Sequence, residues 1–124
     1  YWVENTVDLS LFDPAANDVV QVLNVPAETC VINAGLEVLT ASPSSVTLDL
    51  GDGGDADRYI DGLDSTSTGH GALVAHASNA GHVYGSADTI DVTVLGATDN
   101  ASKIRVWAIM CDVSGSDETA SNSS

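Results

Sequence analysis

The stretch "CVINAGLEVLT", residues 30–40, decides the fold because its apolar residues recur at every second position. Successive side chains of a β-strand point to opposite faces of a sheet, so this period of two predicts a strand with one buried face. The predicted buried face consists of Cys30, Ile32, Ala34, Leu36 and Val38. An amphipathic helix would instead repeat its apolar residues three and four positions apart, and the chain shows no such stripe.

The same alternation returns along the whole chain, between turn signals rich in Gly, Asp, Ser and Asn. Short strands separated in this way are typical of β-sandwiches and jelly rolls. Strands are predicted near residues 3–11, 18–25, 29–40, 45–50, 58–61, 72–84, 88–95 and 102–113, with glycines that can break the sixth. The sequence therefore predicts an all-β protein, built as a single antiparallel β-sandwich of eight strands with a jelly-roll-like order.

The 124 residues suit one domain with a single core. The predicted sandwich domain spans residues 1–113 and starts with an N-terminal arm, residues 1–5. Residues 114–124, "SGSDETASNSS", contain one alanine as their only apolar residue. Because a segment that cannot bury apolar surface stays unfolded, we predict a disordered tail that is acidic and polar.

The charge of the chain narrows its range of partners. Eighteen acidic and three basic residues give a formal net charge of −15. Such a surface repels nucleic acid and anionic membranes, so neither is a predicted partner. Self-repulsion destabilises a compact acidic protein and salt screens that repulsion. The composition is therefore typical of a salt-rich setting, such as a marine or halophilic host, although an acidic surface protein from another setting also fits.

The stretch "LDLGDGGDADRYIDGLD", residues 48–64, crowds six aspartates around four glycines. It lacks the ligand spacing and the helical flanks of the helix–loop–helix calcium loop. A looser Ca²⁺ site made by Asp52, Asp55 and Asp57 stays open, since hard cations accept such sets of oxygen atoms. The favoured interpretation is a glycine-rich turn whose aspartates bond local amides and stay wet, with Arg58 paired to one of them. No other cofactor is predicted.

Residue sets that carry out catalysis are absent from the sequence. The chain has no G-x-S-x-G motif for a serine nucleophile, and a wet aspartate loop offers no dry carboxyl group for acid–base chemistry. Three histidines, His70, His76 and His82, are spaced more widely than the ligands of usual zinc motifs. We interpret them as exposed loop histidines and predict that the protein is not an enzyme.

Two cysteines, Cys30 and Cys111, lie inside apolar, strand-like runs. A free cysteine in such a run behaves as a small buried apolar residue. We therefore interpret both as buried free thiols, with a single disulfide between strands as the alternative.

Three stretches carry a resemblance to a known family. They are "TVDLS…NDVVQVLNVPAET" at 6–29, "TLDLGDGGDADRYIDGLD" at 47–64 and "ADTIDVTVLGATDNASKIRVWAIMCDVSG" at 87–115. Their order resembles that of small structural proteins of tailed viruses. In those proteins a strand ending in a D-x-GDG-x-D-x-D turn is followed by an aromatic residue and a short -DGxD- step, and a later DTIDVT strand leads into the final strand.

The resemblance implies a virion structural protein, most often a capsid decoration or cement protein. Such a protein forms homotrimers, binds the lattice of the major capsid protein and lies on the outer surface of the capsid. Aromatic residues are enriched where one protein anchors on another, so we predict contacts through the apolar N-terminus and the last strand. The predicted interface residues are Tyr1, Trp2, Val3, Trp107 and Ile109.

The alternative is a module of a turret or tail fibre that binds a host receptor or a glycan. Such a module needs aromatic rings exposed in loops, where they stack on sugar rings. Only Tyr59 and Tyr84 are placed in the sequence to do so.

Overall fold

The computed structural model describes the backbone of residues 1–72 and 81–114 and the side chains of residues 1–69 and 81–114. These residues form nine β-strands and one turn of 3-10 helix, and they contain no α-helix. The strands are β1 (Trp2–Asp8), β2 (Val19–Val25), β3 (Thr29–Thr40), β4 (Thr47–Gly51), β5 (Ile60–Asp64), β6 (Gly69–Ala72), β7 (His82–Tyr84), β8 (Asp88–Leu95) and β9 (Lys103–Asp112).

The strands form two antiparallel sheets. The first sheet has the order β1-β9-β3-β6, with β7 also paired to β3, and the second has the order β2-β8-β4-β5. The early strands thus pair with the late ones in reverse order, as in a long hairpin whose two arms are folded together into two sheets. This is the winding of a jelly roll. The prediction of an all-β, antiparallel sandwich is confirmed.

The sixth predicted strand, near residues 72–84, is divided in two. Its parts are β6 and β7, which pair with different lengths of β3. Gly69, the first residue of β6, and Gly81, just before β7, have φ of +143° and +70°, a backbone conformation that residues with a Cβ rarely adopt. Residues 73–80 lie outside the described part of the chain. Counting β6 and β7 as one broken strand restores the predicted eight.

The alternation in β3 is interrupted by a β-bulge. The pairing of β3 with β9 shifts between Val31 and Asn33, and a shift of one residue moves the following side chains to the other face. Val31 and Ala34 are therefore both buried, whereas Ile32 is exposed. The predicted buried face is right for Ala34, Leu36 and Val38 and wrong for Cys30 and Ile32.

The first strand ends three residues earlier than predicted. Asp8 accepts hydrogen bonds from the backbone N–H of Ser10 at 3.0 Å and from its hydroxyl at 2.5 Å, and these bonds start a 3-10 turn over Leu9–Leu11. The turn keeps Leu9 fully buried, whereas Leu11 is 78 % exposed. The strand predicted near 58–61 likewise differs from β5, which begins at Ile60.

The core lies between the sheets and consists mainly of Val, Leu and Ile. Burying one such side chain contributes about 1.5–3 kcal/mol. Tyr59 and Tyr84 belong to the same core. No described helix is long and apolar enough to span a membrane.

Candidate functional site

An aromatic stack occupies the outer face of the first sheet. Trp2 on β1 lies opposite Ile109 on β9, and Trp107 lies two positions before Ile109 on the same side of β9. The two indole rings are parallel within 9°, with their centroids 4.9 Å apart. The stack fixes the orientation of Trp2, which is nevertheless 54 % exposed.

A glycine on the neighbouring strand provides the seat for this stack. Gly35 on β3 lies directly opposite Trp107, and a Cβ added to Gly35 would lie 2.4 Å from Cζ2 of the indole ring. The ring therefore lies flat on the backbone of β3, because no side chain separates them. Three adjacent strands thus contribute to one aromatic surface.

Further apolar side chains extend this surface. Ile32, at the bulge of β3, and Val83, opposite Cys30 on β7, are both exposed. We call the outer side of β1, β9, β3 and β7 the apolar face, and define it by Trp2, Trp107, Ile109, Ile32 and Val83. Trp2, Ile32 and Val83 are exposed there, whereas Trp107 and Ile109 are half-buried, and exposed apolar patches mark contact sites on proteins.

The structure brings together three of the five predicted interface residues. Trp2, Trp107 and Ile109 share the apolar face, and Tyr1 is exposed at its end. The backbone N–H and C=O of Tyr1 both bond Met110, so the predicted N-terminal arm belongs to the edge of the sheet. Val3 points to the other side and packs against the core.

Charged residues border the apolar face on the same sheet. Arg105 on β9 forms an ion pair with Glu37, opposite it on β3. The hydrogen bond to Glu37 raises the pKa of Arg105 above its ordinary value. Lys103 lies opposite Asp8. Two of the three basic residues of the chain therefore belong to β9.

The outer side of the second sheet has a different chemistry. Asp49 on β4 lies opposite Thr93 on β8, and Asp91 lies two positions before Thr93. Asp49 accepts a hydrogen bond from the N–H of Gly62 at 2.8 Å, and Asp91 accepts one from the hydroxyl of Thr89 at 2.5 Å. Both carboxyl groups are buried, and desolvation raises the pKa of each. We call this side of β2, β8, β4 and β5 the aspartate face.

The aspartate-rich loop between β4 and β5 is organised around Asp52, which is 4 % exposed. One of its carboxylate oxygens accepts the backbone N–H groups of Gly54 and Asp55, each at 2.9 Å. The other accepts Nε of Arg58 at 2.6 Å and the hydroxyl of Tyr84 at 2.5 Å. The predicted pairing of Arg58 with a loop aspartate is confirmed. The prediction that these aspartates stay wet is wrong for Asp52.

Opposing effects set the protonation of this network. Burial raises the pKa of Asp52, but the hydrogen bonds from Arg58, Tyr84 and Asp55 outweigh it, so the pKa lies below its ordinary value. Burial raises the pKa of Tyr59 to about 12, and burial also raises the pKa of Tyr84. The two phenol oxygens lie 2.6 Å apart. The network therefore contains one ionised carboxylate, that of Asp52, and two neutral phenols, those of Tyr59 and Tyr84.

The network connects the two sheets at one end of the sandwich. Tyr84 lies on β7 of the first sheet, whereas Asp52 follows β4 of the second. Arg58 also contacts Nδ1 of His82 at 3.3 Å, and the His82 ring meets the Tyr84 ring edge-on at 4.7 Å. Through these contacts the aspartate-rich loop links the two sheets. The other two histidines have no described side chains.

Tyr59 and Tyr84, the two rings that the alternative function would use to bind a sugar, are buried. Tyr59 and Tyr84 are 2 % and 5 % exposed, so neither ring offers a face to a sugar. Their hydroxyl groups are used by each other and by Asp52. The alternative required these two rings to be exposed, and the sequence cannot show that the loop folds back onto β7.

The predicted calcium ligands do not converge. Both oxygens of Asp52 are engaged in the network, and the cluster of acidic oxygens that the described residues do form consists of Asp49, Asp57 and Asp61, within 4.8 Å of one another. Like charges at this distance repel, and the neighbouring Asp55 raises the pKa of Asp57. The cluster is an ordinary feature of so acidic a surface.

A second exposed apolar region lies at the edge of the sandwich, away from the apolar face. It is a shallow groove of about 670 Å³ between β1 and β2. Phe12 and Val19 line it and are exposed. The amide of Asn5 donates to the carbonyl of Val22 at 3.1 Å across the groove. This bond joins the edges of the two sheets.

The fold is similar to that of chains in three phage capsid structures. The chain is similar to one in the acidic stable capsid of Helicobacter pylori bacteriophage KHP30, with a TM-score of 0.61, 17 % identity, and 90 % of this chain and 91 % of that chain covered. It is also similar to a chain in the capsid of Ralstonia phage GP4, with a TM-score of 0.66, 18 % identity, and 94 % of this chain and 86 % of that chain covered. A chain in the cyanophage Pam1 capsid asymmetric unit is similar with a TM-score of 0.65, 19 % identity, and 89 % of this chain and 81 % of that chain covered. Neither a family model nor a curated protein sequence matches the chain.

Proposed function

We propose that the protein is a capsid decoration or cement protein of a tailed virus, and that it attaches to the outer surface of the major capsid protein lattice through its apolar face. The observation that carries this proposal is the stack of the exposed Trp2 on the half-buried Trp107, on the outer face of a sheet in a chain whose fold is similar to that of phage capsid chains. The aspartate-rich loop fits the same function, because it links the two sheets of the sandwich.

The stack is suited to adhesion because little order remains to be imposed on binding. Fixing a side chain at an interface costs about 0.5–1.5 kcal/mol, and Trp2 is already held against Trp107. Large aromatic side chains at the centre of an interface carry most of the binding energy. A flat surface made by three paired strands also keeps its shape when it meets a partner.

Charge supports the same orientation. A partner that buried the aspartate face would remove the exposed carboxylates of Asp61 and Asp64 on β5 from water, and the loss of hydration of a carboxylate is costly. Acidic side chains next to the apolar face already have partners, since Glu37 pairs with Arg105 and Glu4, opposite Trp107, accepts the indole N–H of Trp2 at 3.2 Å. The aspartate face then points to the solvent, where salt screens its charge.

We propose a homotrimer as the attached form, which is the form that the family resemblance implies. Joining three copies turns later contacts into intramolecular ones, so weak attachment of each copy becomes strong attachment of the ring. The molar mass of the purified chain in high salt, measured by light scattering, tests this part separately from attachment.

The attachment test uses capsid particles that lack this chain. Trp2→Ala and Trp107→Ala remove the stack, and we expect each to weaken binding to the particles at least tenfold, which is about 1.4 kcal/mol. Phe12→Ala is the matched control, since it removes an exposed aromatic ring at the groove instead. Equal occupancy of the particles by the Trp2 and Phe12 variants, both folded by circular dichroism, would contradict the proposal.

A further inference from the structure

The two cysteines of the chain face each other across neighbouring strands. Cys30 on β3 is the direct register partner of Cys111 on β9. Cys111 is exposed and Cys30 is half-buried, and both are free thiols. Their predicted burial is therefore wrong. The bulge at Ile32 turns Cys30 away from the core, whereas Cys111 points outward because it follows the buried Met110 on β9.

The hydrogen-bonding pattern defines the geometry of this pair. Val113 donates its N–H to the carbonyl of Glu28, two positions further along the same ladder. Met110 exchanges both of its backbone bonds with Tyr1, the residue before β1. Alternate rungs of an antiparallel ladder bond each other, so Cys30 and Cys111 form a hydrogen-bonded rung. The Cα atoms of such a rung lie about 5.5 Å apart.

This separation permits a disulfide without making it ideal. Disulfides span Cα distances of about 4.4–6.8 Å, but their Cβ atoms lie about 3.5–4.5 Å apart, closer than a hydrogen-bonded rung usually brings them. Cys30 is the second residue of β3 and Cys111 is the second-last residue of β9. Strand ends adjust more easily than strand centres, so the rung can close with some strain. A strained and exposed disulfide is reduced readily.

We propose that Cys30 and Cys111 form a reversible cross-strand disulfide, made by exchange with a low-molecular-weight disulfide such as oxidised glutathione. The thiolate of the exposed Cys111 attacks one sulfur of the oxidant, and one glutathione thiolate leaves. The thiolate of Cys30 then attacks the Cys111 sulfur of this mixed disulfide, and the second glutathione leaves. Two protein thiols lose two protons and two electrons, and one oxidised glutathione becomes two reduced ones.

The new bond would connect strands that are distant in sequence. It closes a loop of about 80 residues, and a covalent link across so long a loop stabilises mainly by restricting the unfolded chain. It would also lock the end of β9 next to Ile109, two residues before Cys111 on the apolar face. The purified chain suffices to test this inference, so its failure and the failure of the attachment proposal are distinguishable.

The experiment incubates the purified chain with excess oxidised glutathione and analyses it by non-reducing mass spectrometry and thiol titration. We expect a monomer that is about 2 Da lighter, with both thiols lost and the Cys30–Cys111 peptide pair recovered after digestion. Its Tm should rise by about 5–10 °C. A tenfold excess of reduced glutathione should restore both thiols.

Cys30→Ser and Cys111→Ser are the matched controls, and neither should form the lighter monomer or gain stability on oxidation. Three outcomes would overturn the proposal: both thiols persist, the product is a disulfide-linked dimer through Cys111, or the protein keeps stable glutathione adducts. A disulfide that withstands the reduced glutathione would overturn its reversibility.

Discussion

The two outer faces of the sandwich are made of the same kind of strand but carry opposite chemistry. On the apolar face the exposed Trp2 stacks on the half-buried Trp107, whereas on the aspartate face Asp49 and Asp91 lie among threonines. The core dictates every inward side chain, and the outward ones are free to vary. The core does not need an exposed aromatic ring such as Trp2 on the outer face, so its presence there points to a partner on that side.

The largest predicted effect concerns Asp52, where the two sheets are joined. Asp52→Asn removes the charge that pairs with Arg58 and leaves that guanidinium partly buried without a counter-ion. We expect a loss of about 3 kcal/mol in the free energy of unfolding, measured by urea titration. Asp57→Asn, in the same loop but exposed, is the control and should change stability by less than about 0.5 kcal/mol. Equal effects of both substitutions would show that Asp52 does not link the two sheets.

The next effect concerns the seat of the aromatic stack. In Gly35→Ala the new Cβ would lie 2.4 Å from the Trp107 ring, so the ring must move and the stack with Trp2 is lost. We expect a destabilisation of about 1–3 kcal/mol and a loss of the near-UV circular dichroism of the paired indoles. Gly53→Ala is the control, since its Cβ would meet only the Asp88 carboxylate at 3.5 Å. Near-UV spectra that stay unchanged in Gly35→Ala would refute the arrangement.

The smallest predicted effect concerns the buried carboxyl group of Asp91 and depends on pH. Desolvation raises the pKa of Asp91 above the ordinary value of 3.8, so its charged form is disfavoured in the folded protein and destabilises it at neutral pH. This penalty disappears as pH falls through the raised pKa. Asp91→Asn should therefore stabilise the protein at pH 7, by less than about 1 kcal/mol, and have no stabilising effect at pH 3.

Asp8 provides a control of opposite sign. Its hydrogen bonds with Ser10 lower its pKa below 3.8, so its contribution to stability is present above 3.8 and is lost as pH falls through the lowered value. Asp8→Asn should lower the Tm at pH 7. If both substitutions shift the Tm in the same direction, the assignment of buried and exposed carboxylates is wrong.

The sequence was sufficient to predict the sheet architecture because strand alternation depends on local patterning. The pairing of Arg58 with a nearby aspartate was predictable for the same reason, since Arg58 lies only six positions after Asp52. The bulge at Ile32 was not predictable, because an extra residue in one strand is defined only against its partner. It reversed the expected positions of Cys30 and Ile32.

The candidate site was predictable only in part. Trp2, Trp107 and Ile109 were predicted as contact residues from their chemistry, but the stacking of the two tryptophans depends on a register between β1 and β9 that spans almost the whole chain. The bond between Tyr84 and Asp52 joins residues 32 positions apart, beyond the reach of a local motif. Gly35 offered one signal that could have been used, since a glycine inside a strand often marks a close approach of other groups.

The most direct test of the central claim is oxidative footprinting of the protein, free and bound to capsid particles. Hydroxyl radicals would label Trp2 and Trp107, and carbodiimide coupling would label the carboxylates of the aspartate face in parallel. We predict that binding protects both tryptophans from oxidation and leaves Asp61 and Asp64, which are exposed on β5, labelled as before. Tryptophans that oxidise equally in both states, together with protected β5 carboxylates, would contradict attachment through the apolar face.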